Sequence, residues 1–324
     1  MIFWQTTPTR NECCRRLSSN QRRMMRLILH GLRADEPLIR DAVRRLRSEG
    51  HAVEVRVTWE DGDAHRLALE AVQAGAETVV AGGGDGTINE VCNALLETDR
   101  ANDVVFGVLP LGTANDFATA AGIPTDDPYA ALRIVVERPP TRIDVGRVND
   151  RHFVNVVSGG YGAEVTTATD PSLKRVLGGF AYFLTGLTNM DASGPRHLRL
   201  QGPGLEWEGD LLAFAVCNGR LAGGGFHVGP HAILNDGLLD LMILPDLPFS
   251  EWPHILHEFR TGETGEPPEE VIYRQLPELT IEAPDSLQIN LDGGPIFGTR
   301  FEFSVAPQQL QMTLPEGSPL VKTP

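Results

Sequence analysis

The part of this sequence that could do chemistry is a glycine run that ends in carboxylates. Residues 78–91, TVVAGGGDGTINEV, carry a β-branched run into Gly82, Gly83 and Gly84, then into Asp85, Gly86 and Thr87, and open a stretch of helical spacing. A strand that turns through glycines into a helix gathers free backbone N–H groups where a phosphate is electrostatically favoured. Glycine lets that backbone approach oxygen atoms closely, because no Cβ intervenes. A Walker loop would place a lysine here, yet Lys174 is the first lysine of the chain, so a P-loop nucleoside triphosphatase is excluded. Bare carboxylate and phosphate repel, so Asp85 needs a companion: a cation, a hydroxyl donor or a transferred proton. A divalent ion with oxygen ligands is the companion this predicts. Four glycines within five residues exceed the needs of a plain turn, and Thr87 and Asn89 stand where helix caps would fall.

A second strand exit has the same logic. VVFGVLPLGTANDFATAAGIP (104–124) runs a strand into Gly112, Thr113, Asn115 and Asp116 and then into a helix. In a doubly wound sheet the carboxyl ends of neighbouring strands share one crevice, so both exits can face one nucleotide.

The elements that must position these turns follow from periodicity. RLILH (26–30), AVEVRV (52–57), TVVA (78–81) and VVFGVL (104–109) read as strands. Helical stripes fall between them, at Leu38 to Leu46, Leu67 to Val72 and Ile88 to Leu96, with further helices over 114–121 and 126–137. Strand and helix in alternation predict a parallel sheet covered by helices. After ERPPTR (137–142) the texture changes to short alternating runs bounded by turns, IDVGRV, HFVNVV, HLRLQ, LLAFAV, LLDLMIL, LTIEA, LQINLDG, FEFSV and LQMTL. That pattern predicts a sandwich-like β domain, with helices inserted near 172–189 and 249–260 and an exposed loop or hinge at 262–270.

The expected organisation is therefore an α/β nucleotide-binding unit over 25–140 and a β-rich unit over 141–305. A C-terminal segment, 306–324, is read as returning to the first unit. Residues 1–24 carry arginines but no apolar period, and are read as a disordered extension or an over-long start ahead of Met24 or Met25. A net charge of -15 over 324 residues argues against a nucleic-acid partner. No apolar run is long enough to span a bilayer. Cys13 and Cys14 are adjacent while Cys92 and Cys217 sit singly, which gives no disulfide framework and fits a reducing, cytoplasmic compartment. His30, His227, His231, His254 and His257 lack partnered spacing and read as surface or packing residues.

GGGDGT with INEV following, LPLGTANDFA and IDVGRVN (143–149) resemble the diacylglycerol kinase catalytic family. VRVTWEDGD (55–63), NGRLAGGGFHVGPHAILNDGLLDL (218–241) and NLDGGP (290–295) extend the resemblance to the YegS-like lipid kinases, from Met25 to about Pro319. It implies ATP and magnesium, with calcium as the other candidate ion, and a lipid hydroxyl as acceptor during transient contact with a membrane surface. It also implies that Gly84, Asp85, Gly86, Thr87, Ile88, Asn89 and Glu90 cradle the nucleotide together with Thr58 and Thr113. Asp85, Asp116 and Asp144 are implied as the carboxylates organising catalytic magnesium, directly or through water. Asp236, with the backbone carbonyls of Ile233 and Leu238, is implied as a further metal position; from spacing alone a tight Asn-Asp-Gly turn is the alternative.

Two departures stand out. The family's Asp-Gly-Glu, whose glutamate is the expected general base, is here Asp292-Gly293-Gly294, and glycine cannot accept a proton. His30-Gly31-Leu32-Arg33 replaces a polar, often Asn-headed first loop. These keep two other functions in view: a catalytically weak nucleotide- or lipid-binding regulator, and a soluble-substrate kinase such as an NAD kinase, which shares GGDGT. If turnover persists, Asp292, water or the substrate must receive the proton.

Overall fold

The computed structural model describes residues 24–160, 196–248 and 251–322. The expected helix near 172–189 lies outside the described residues, as do residues 1–23. The first half alternates as its periodicity predicts: β1 (Met24–Leu29), α1 (Pro37–Ser48), β2 (Ala52–Val57), α2 (Asp63–Gln73), β3 (Thr78–Gly83), α3 (Asp85–Leu96), β4 (Val105–Pro110), α4 (Asp116–Ala121) and α5 (Pro128–Glu137). The strands pair in parallel in the order β2-β1-β3-β4. α2 lies against α3 and α1 against α5, the two helical layers of a doubly wound sheet. Leu27, Ile28, Val79, Val80, Phe106 and Val108 are fully buried between them. Strands covered on both faces lose the polar alternation of a surface strand, which is why TVVA and VVFGVL read as continuous apolar runs.

The second half is antiparallel and β-sandwich-like. It comprises β5 (Pro140–Val148), β6 (Arg151–Phe153), β7 (Val156–Gly160), β8 (Arg196–Gly202), β9 (Leu205–Cys217), the short ribbon β10 (Leu221–Ala222) and β11 (Phe226–His227), β12 (Leu239–Pro245), α6 (Trp252–Thr261), β13 (Ile272–Leu276), β14 (Glu278–Leu291) and β15 (Gly294–Thr313). Alternate residues of β9 serve two cores. Leu211, Phe214 and Val216 join one with Leu241 and Phe303, while Ala213, Ala215 and Cys217 join another with Ile255, Leu256 and Phe259 of α6. The period of two in a strand makes this double use possible, and it explains the unbroken LLAFAV.

Two strands are longer than their sequence suggests. LTIEA and LQINLDG are both parts of β14, and FEFSV and LQMTL are both parts of β15; the register shifts between Glu282 and Leu287 and between Ala306 and Leu310. Pro284 and Pro307 fall in those two gaps, where a residue without an N–H interrupts the ladder without ending the strand. The far end of β15 pairs in parallel with β4, Gln311 beside Val105 and Met312 beside Phe106, so one hydrogen-bonded sheet runs through both halves. Among the described residues no helix is long and apolar enough to cross a membrane.

Candidate functional site

The two glycine turns lie back to back at the carboxyl edge of the parallel sheet. A Cβ on Gly84 would sit 3.1 Å from Gly112 Cα, and one on Gly112 would sit 2.5 Å from Gly84 Cα, so backbone packs on backbone. A Cβ on Gly83 would meet Thr87 Oγ1 at 2.4 Å. The Gly82 carbonyl accepts from His30 N at 2.7 Å and the Gly83 carbonyl from Leu111 N at 2.8 Å, which ties the exits of β1, β3 and β4 together. Gly31 closes the same edge: Thr58 Oγ1 accepts from its N–H at 3.1 Å, and any Cβ there would collide with the Thr58 carbonyl. Gly86 differs from all of these, with nothing within 4 Å of its missing Cβ. Its smallness serves no protein contact and leaves room for a ligand's oxygens.

α3 begins at Asp85 with Gly84 as its cap and no side-chain capping bond. The expectation that Thr87 and Asn89 cap this helix is therefore corrected: both lie within it. Thr87 and Ile88 are buried in packing, while Asn89 reaches across to the second half.

Asp85 points the other way, toward the second turn. Its carboxylate accepts from the backbone N–H of Asp116 at 3.3 Å and of Phe117 at 3.1 Å, at the N-terminus of α4. Asp116 in turn accepts from Gly224 N at 2.9 Å and Gly225 N at 2.7 Å. Those glycines belong to a loop with positive φ at Gly223, Gly224 and Gly225, held by Arg260, which donates to the Gly224 carbonyl at 2.7 Å. Burial pushes the Asp116 carboxyl above its ordinary value and the Asp85 charge adds to the rise, opposed by the Gly224 and Gly225 N–H bonds. A chain of charge-assisted contacts thus crosses from one half to the other.

Between these walls lies a cavity of about 880 Å³. Asp85, Gly86, Asn89, Glu90, Thr113 and Asp116 line one side; the other side is formed by β6, β7, the 222–224 loop and the tip of the β14–β15 hairpin. Glu90 is half-buried with Oε2 unpartnered, and desolvation raises its pKa. The hairpin tip is a two-residue turn with Asp292 at φ 45° and Gly293 at φ 98°, a geometry that the Asp-Gly pair accommodates. Asp292 turns its carboxylate inward. It accepts from Val154 N at 2.7 Å, Val156 N at 2.8 Å, Asn155 N at 3.2 Å and Asn89 Nδ2 at 2.8 Å. Burial pushes this carboxyl up to about 6, against those hydrogen bonds. A carboxylate with four protein donors anchors the hairpin and keeps little acceptor capacity for a substrate proton. Gly294 also lines the cavity, and a Cβ there would find Leu291 O at 3.5 Å, an ordinary contact.

The carboxylate trio expected around magnesium is not gathered. Asp144 is 1% exposed, does not line the cavity, and spends both oxygens on backbone donors, Gly237 N and Gln308 N at 2.8 Å each. It joins β5, the 234–237 loop and the bulge of β15. Among the described residues no group of three or more His, Cys, Asp or Glu could hold a metal. Of the three expected carboxylates, Asp85 and Asp116 line the cavity. Magnesium, which keeps several waters and takes one or two carboxylates plus phosphate oxygens, fits that pair. Asp236 lies outside the cavity: Oδ1 accepts from Leu238 N at 3.1 Å, and Lys322 Nζ stands 3.3 Å from Oδ2, so an internal ammonium meets the carboxylate. Thr58 lies at the β1–β2 exits, also outside the cavity lining.

Sequence reasoning passed over Arg151, Asn155, Ser158 and the 222–224 loop, all of which line the cavity. The glycine triplet at 223–225 was the available signal for the loop. Cys92 and Cys217 are buried free thiols whose pKa burial raises, so neither is reactive.

Fold and cavity together define a two-domain protein with a crevice at the carboxyl ends of parallel strands, bordered by a β domain. Residues 25–148 match the diacylglycerol kinase catalytic domain, and residues 155–314 match the YegS C-terminal NAD kinase beta sandwich-like domain. The chain is 45% identical over 296 residues to a Yersinia enterocolitica protein described as "Probable lipid kinase YegS-like", covering 91% of this chain and 98% of that one. A Pseudomonas aeruginosa protein with the same description is 45% identical over 299 residues, covering 92% and 96%. The chain belongs to the YegS-like family, whose first domain is the diacylglycerol kinase catalytic domain. The solved structure of a diacylglycerol kinase from Bacillus anthracis str. Sterne matches with a TM-score of 0.66 at 17% identity, over 93% of this chain and 100% of that one, which carries the fold.

Proposed function

We propose that this protein is an ATP-dependent lipid kinase, moving the γ-phosphoryl group to a lipid hydroxyl with magnesium bound by Asp85 and Asp116. The observation that carries the reading is the open Gly86 beside two carboxylates in a cavity between the halves. The relatives described as lipid kinases supply the acceptor class. Phosphoryl transfer is catalysed mainly by positioning and charge neutralisation, which a rigid pair of glycine turns and backbone-tethered carboxylates can supply. Asp85 and Asp116 keep lone pairs beyond those given to backbone N–H groups, and these are free to hold an ion. When bound, magnesium would neutralise charge on the phosphate oxygens. Gly86 and Thr113 leave the turn open to the phosphates, and Glu90 borders the same space. With no transmembrane helix among the described residues and a net charge of -15, contact with an anionic membrane would be transient.

A second reading, a regulator with weak turnover, is favoured by one feature: glycine stands at 294 while Asp292 is fully engaged by protein donors. The test of both is incubation of the purified full-length chain with labelled ATP, magnesium and a panel of lipids in detergent, followed by lipid separation. Label in a lipid band supports the kinase. Tight nucleotide binding with no labelled lipid supports the regulator, and label on an aqueous acceptor without lipid would favour a soluble-substrate kinase.

A further inference from the structure

Four carboxylates line the cavity, from Asp85, Glu90, Asp116 and Asp292, and one cation stands among the described lining residues, Arg151. Three of the acids are held in place by the protein: backbone N–H groups donate to Asp85, Asp116 and Asp292. Arg151 is the reverse case. It starts β6 after the two-residue turn that pairs it with Val148 of β5, its side chain is exposed into the cavity mouth, and it has no ion pair or side-chain hydrogen bond with any described residue. Five guanidinium N–H donors are therefore presented to the cavity without a side-chain partner among the described residues.

Its neighbours fix where it stands. The carbonyl of His152, next in the chain, accepts from the side-chain amides of Asn89 and Asn93 of α3, at 3.2 and 3.1 Å, and its N–H donates to Asn93 Oδ1 at 3.2 Å. Val154 and Asn155 are tied to Asp292. Arg151 is thus carried on a strand clamped on one side to the helix that follows the open glycine turn, and on the other to the hairpin bearing Gly294. A carboxylate at 294 would share this cavity with the guanidinium and could neutralise it; with glycine there, no described residue pairs with the charge.

We infer that Arg151 is a phosphate-binding residue of the cavity, offering its planar fork to two oxygens of a phosphoryl group. Arginine matches that geometry with paired hydrogen bonds, which a lysine cannot reproduce. The phosphoryl group comes either from the end of the nucleotide or from the headgroup of a phosphate-bearing acceptor. This deepens the phosphotransfer reading and rests on it, so the test uses binding alone and does not depend on turnover.

The full-length wild type, Arg151→Ala and Arg151→Lys are titrated calorimetrically with ATP and AMP, and separately with glycerol 3-phosphate and glycerol. Because the side chain is exposed and unpaired, Arg151→Ala should melt at the wild-type temperature. A loss of at least tenfold in ATP affinity with AMP unchanged, about 1.4 kcal/mol, assigns Arg151 to the nucleotide's terminal phosphates. The same loss for glycerol 3-phosphate with ATP unchanged assigns it to an acceptor headgroup. Arg151→Lys should fall between wild type and alanine in whichever arm responds. Arg151→Ala within twofold of wild type for both ATP and glycerol 3-phosphate overturns the inference. A wild type that binds these ligands but labels no lipid would sink the lipid-kinase reading and leave the result for Arg151 standing.

Discussion

Asp85 and Asp116 on one side, and Asp144 and Asp236 on the other, are the same residue type in similar glycine-bearing surroundings, yet the fold uses them in opposite ways. The first two each accept two backbone N–H groups and still line an open cavity. Asp144 is sealed, with Gly237 and Gln308 on its two oxygens, and Asp236 is met by Lys322. Asp85, Asp116 and Asp144 carry the same number of backbone donors, so what separates them is access to the cavity. The comparison separates acids available to a ligand from acids consumed as internal staples.

Breaking the first pair should give the largest effect. Asp85→Asn keeps volume and an acceptor for the α4 N-terminus but removes the charge at the phosphate turn, so lipid phosphorylation should fall by at least about 10²-fold, the scale for losing one electrostatic element of a transition-state site. Melting temperature should move little. Turnover within a few-fold of wild type, measured by labelled-lipid formation, would remove Asp85 from the chemistry. Asp144→Ala should show the converse. It removes the acceptor of two partly buried N–H groups that join three segments, so urea denaturation should give a drop in midpoint, while kcat of the folded fraction stays near wild type. A large loss of kcat with unchanged stability would return Asp144 to the active site.

Much of the frame is legible in the sequence because its signals are local. The Gly82–Gly86 turn, the strand runs and the helical stripes are read within a dozen residues, and they fall where β1 to β4 and their helices lie. What escapes is set by partners far along the chain. Asp144 receives its donors from 93 and 164 residues away, and Asn89 meets Asp292 across 203. No spacing rule reaches that far. The long strands β14 and β15 look broken because Pro284 and Pro307 mimic strand ends. Arg151 looks like an ordinary charged hairpin residue, since only the folded cavity reveals that no described residue pairs with it.

The smallest expected effect sharpens the comparison most. Asp292 is an acid of the staple kind that happens to sit at the cavity, and Gly294 beside it contributes no acceptor. Gly294 has no positive φ, and its Cβ would meet only Leu291 O at 3.5 Å, so Gly294→Glu should fold without strain. A positioned general base contributes typically about 10²- to 10⁴-fold. Pairing of the introduced glutamate with Arg151 would hold it in place yet lower its basicity, so the gain should fall toward the bottom of that range or just below it. Labelled-lipid formation should then rise at least about tenfold, or 1.4 kcal/mol of barrier, with ATP affinity unchanged. Asp292→Asn is the companion measurement. If Asp292 is a staple, this change lowers the denaturation midpoint by disturbing four hydrogen bonds, and the pH–rate profile of the folded protein keeps its shape. Suppose instead that Asp292→Asn abolishes residual turnover in a stable protein, and Gly294→Glu restores it. Asp292 would then be the working base, with its raised pKa near 6 placing the loss of rate on acidification at that pH. A Gly294→Glu protein that binds ATP and is no faster would mean that the proton leaves by a route outside this hairpin, and the regulator reading would gain.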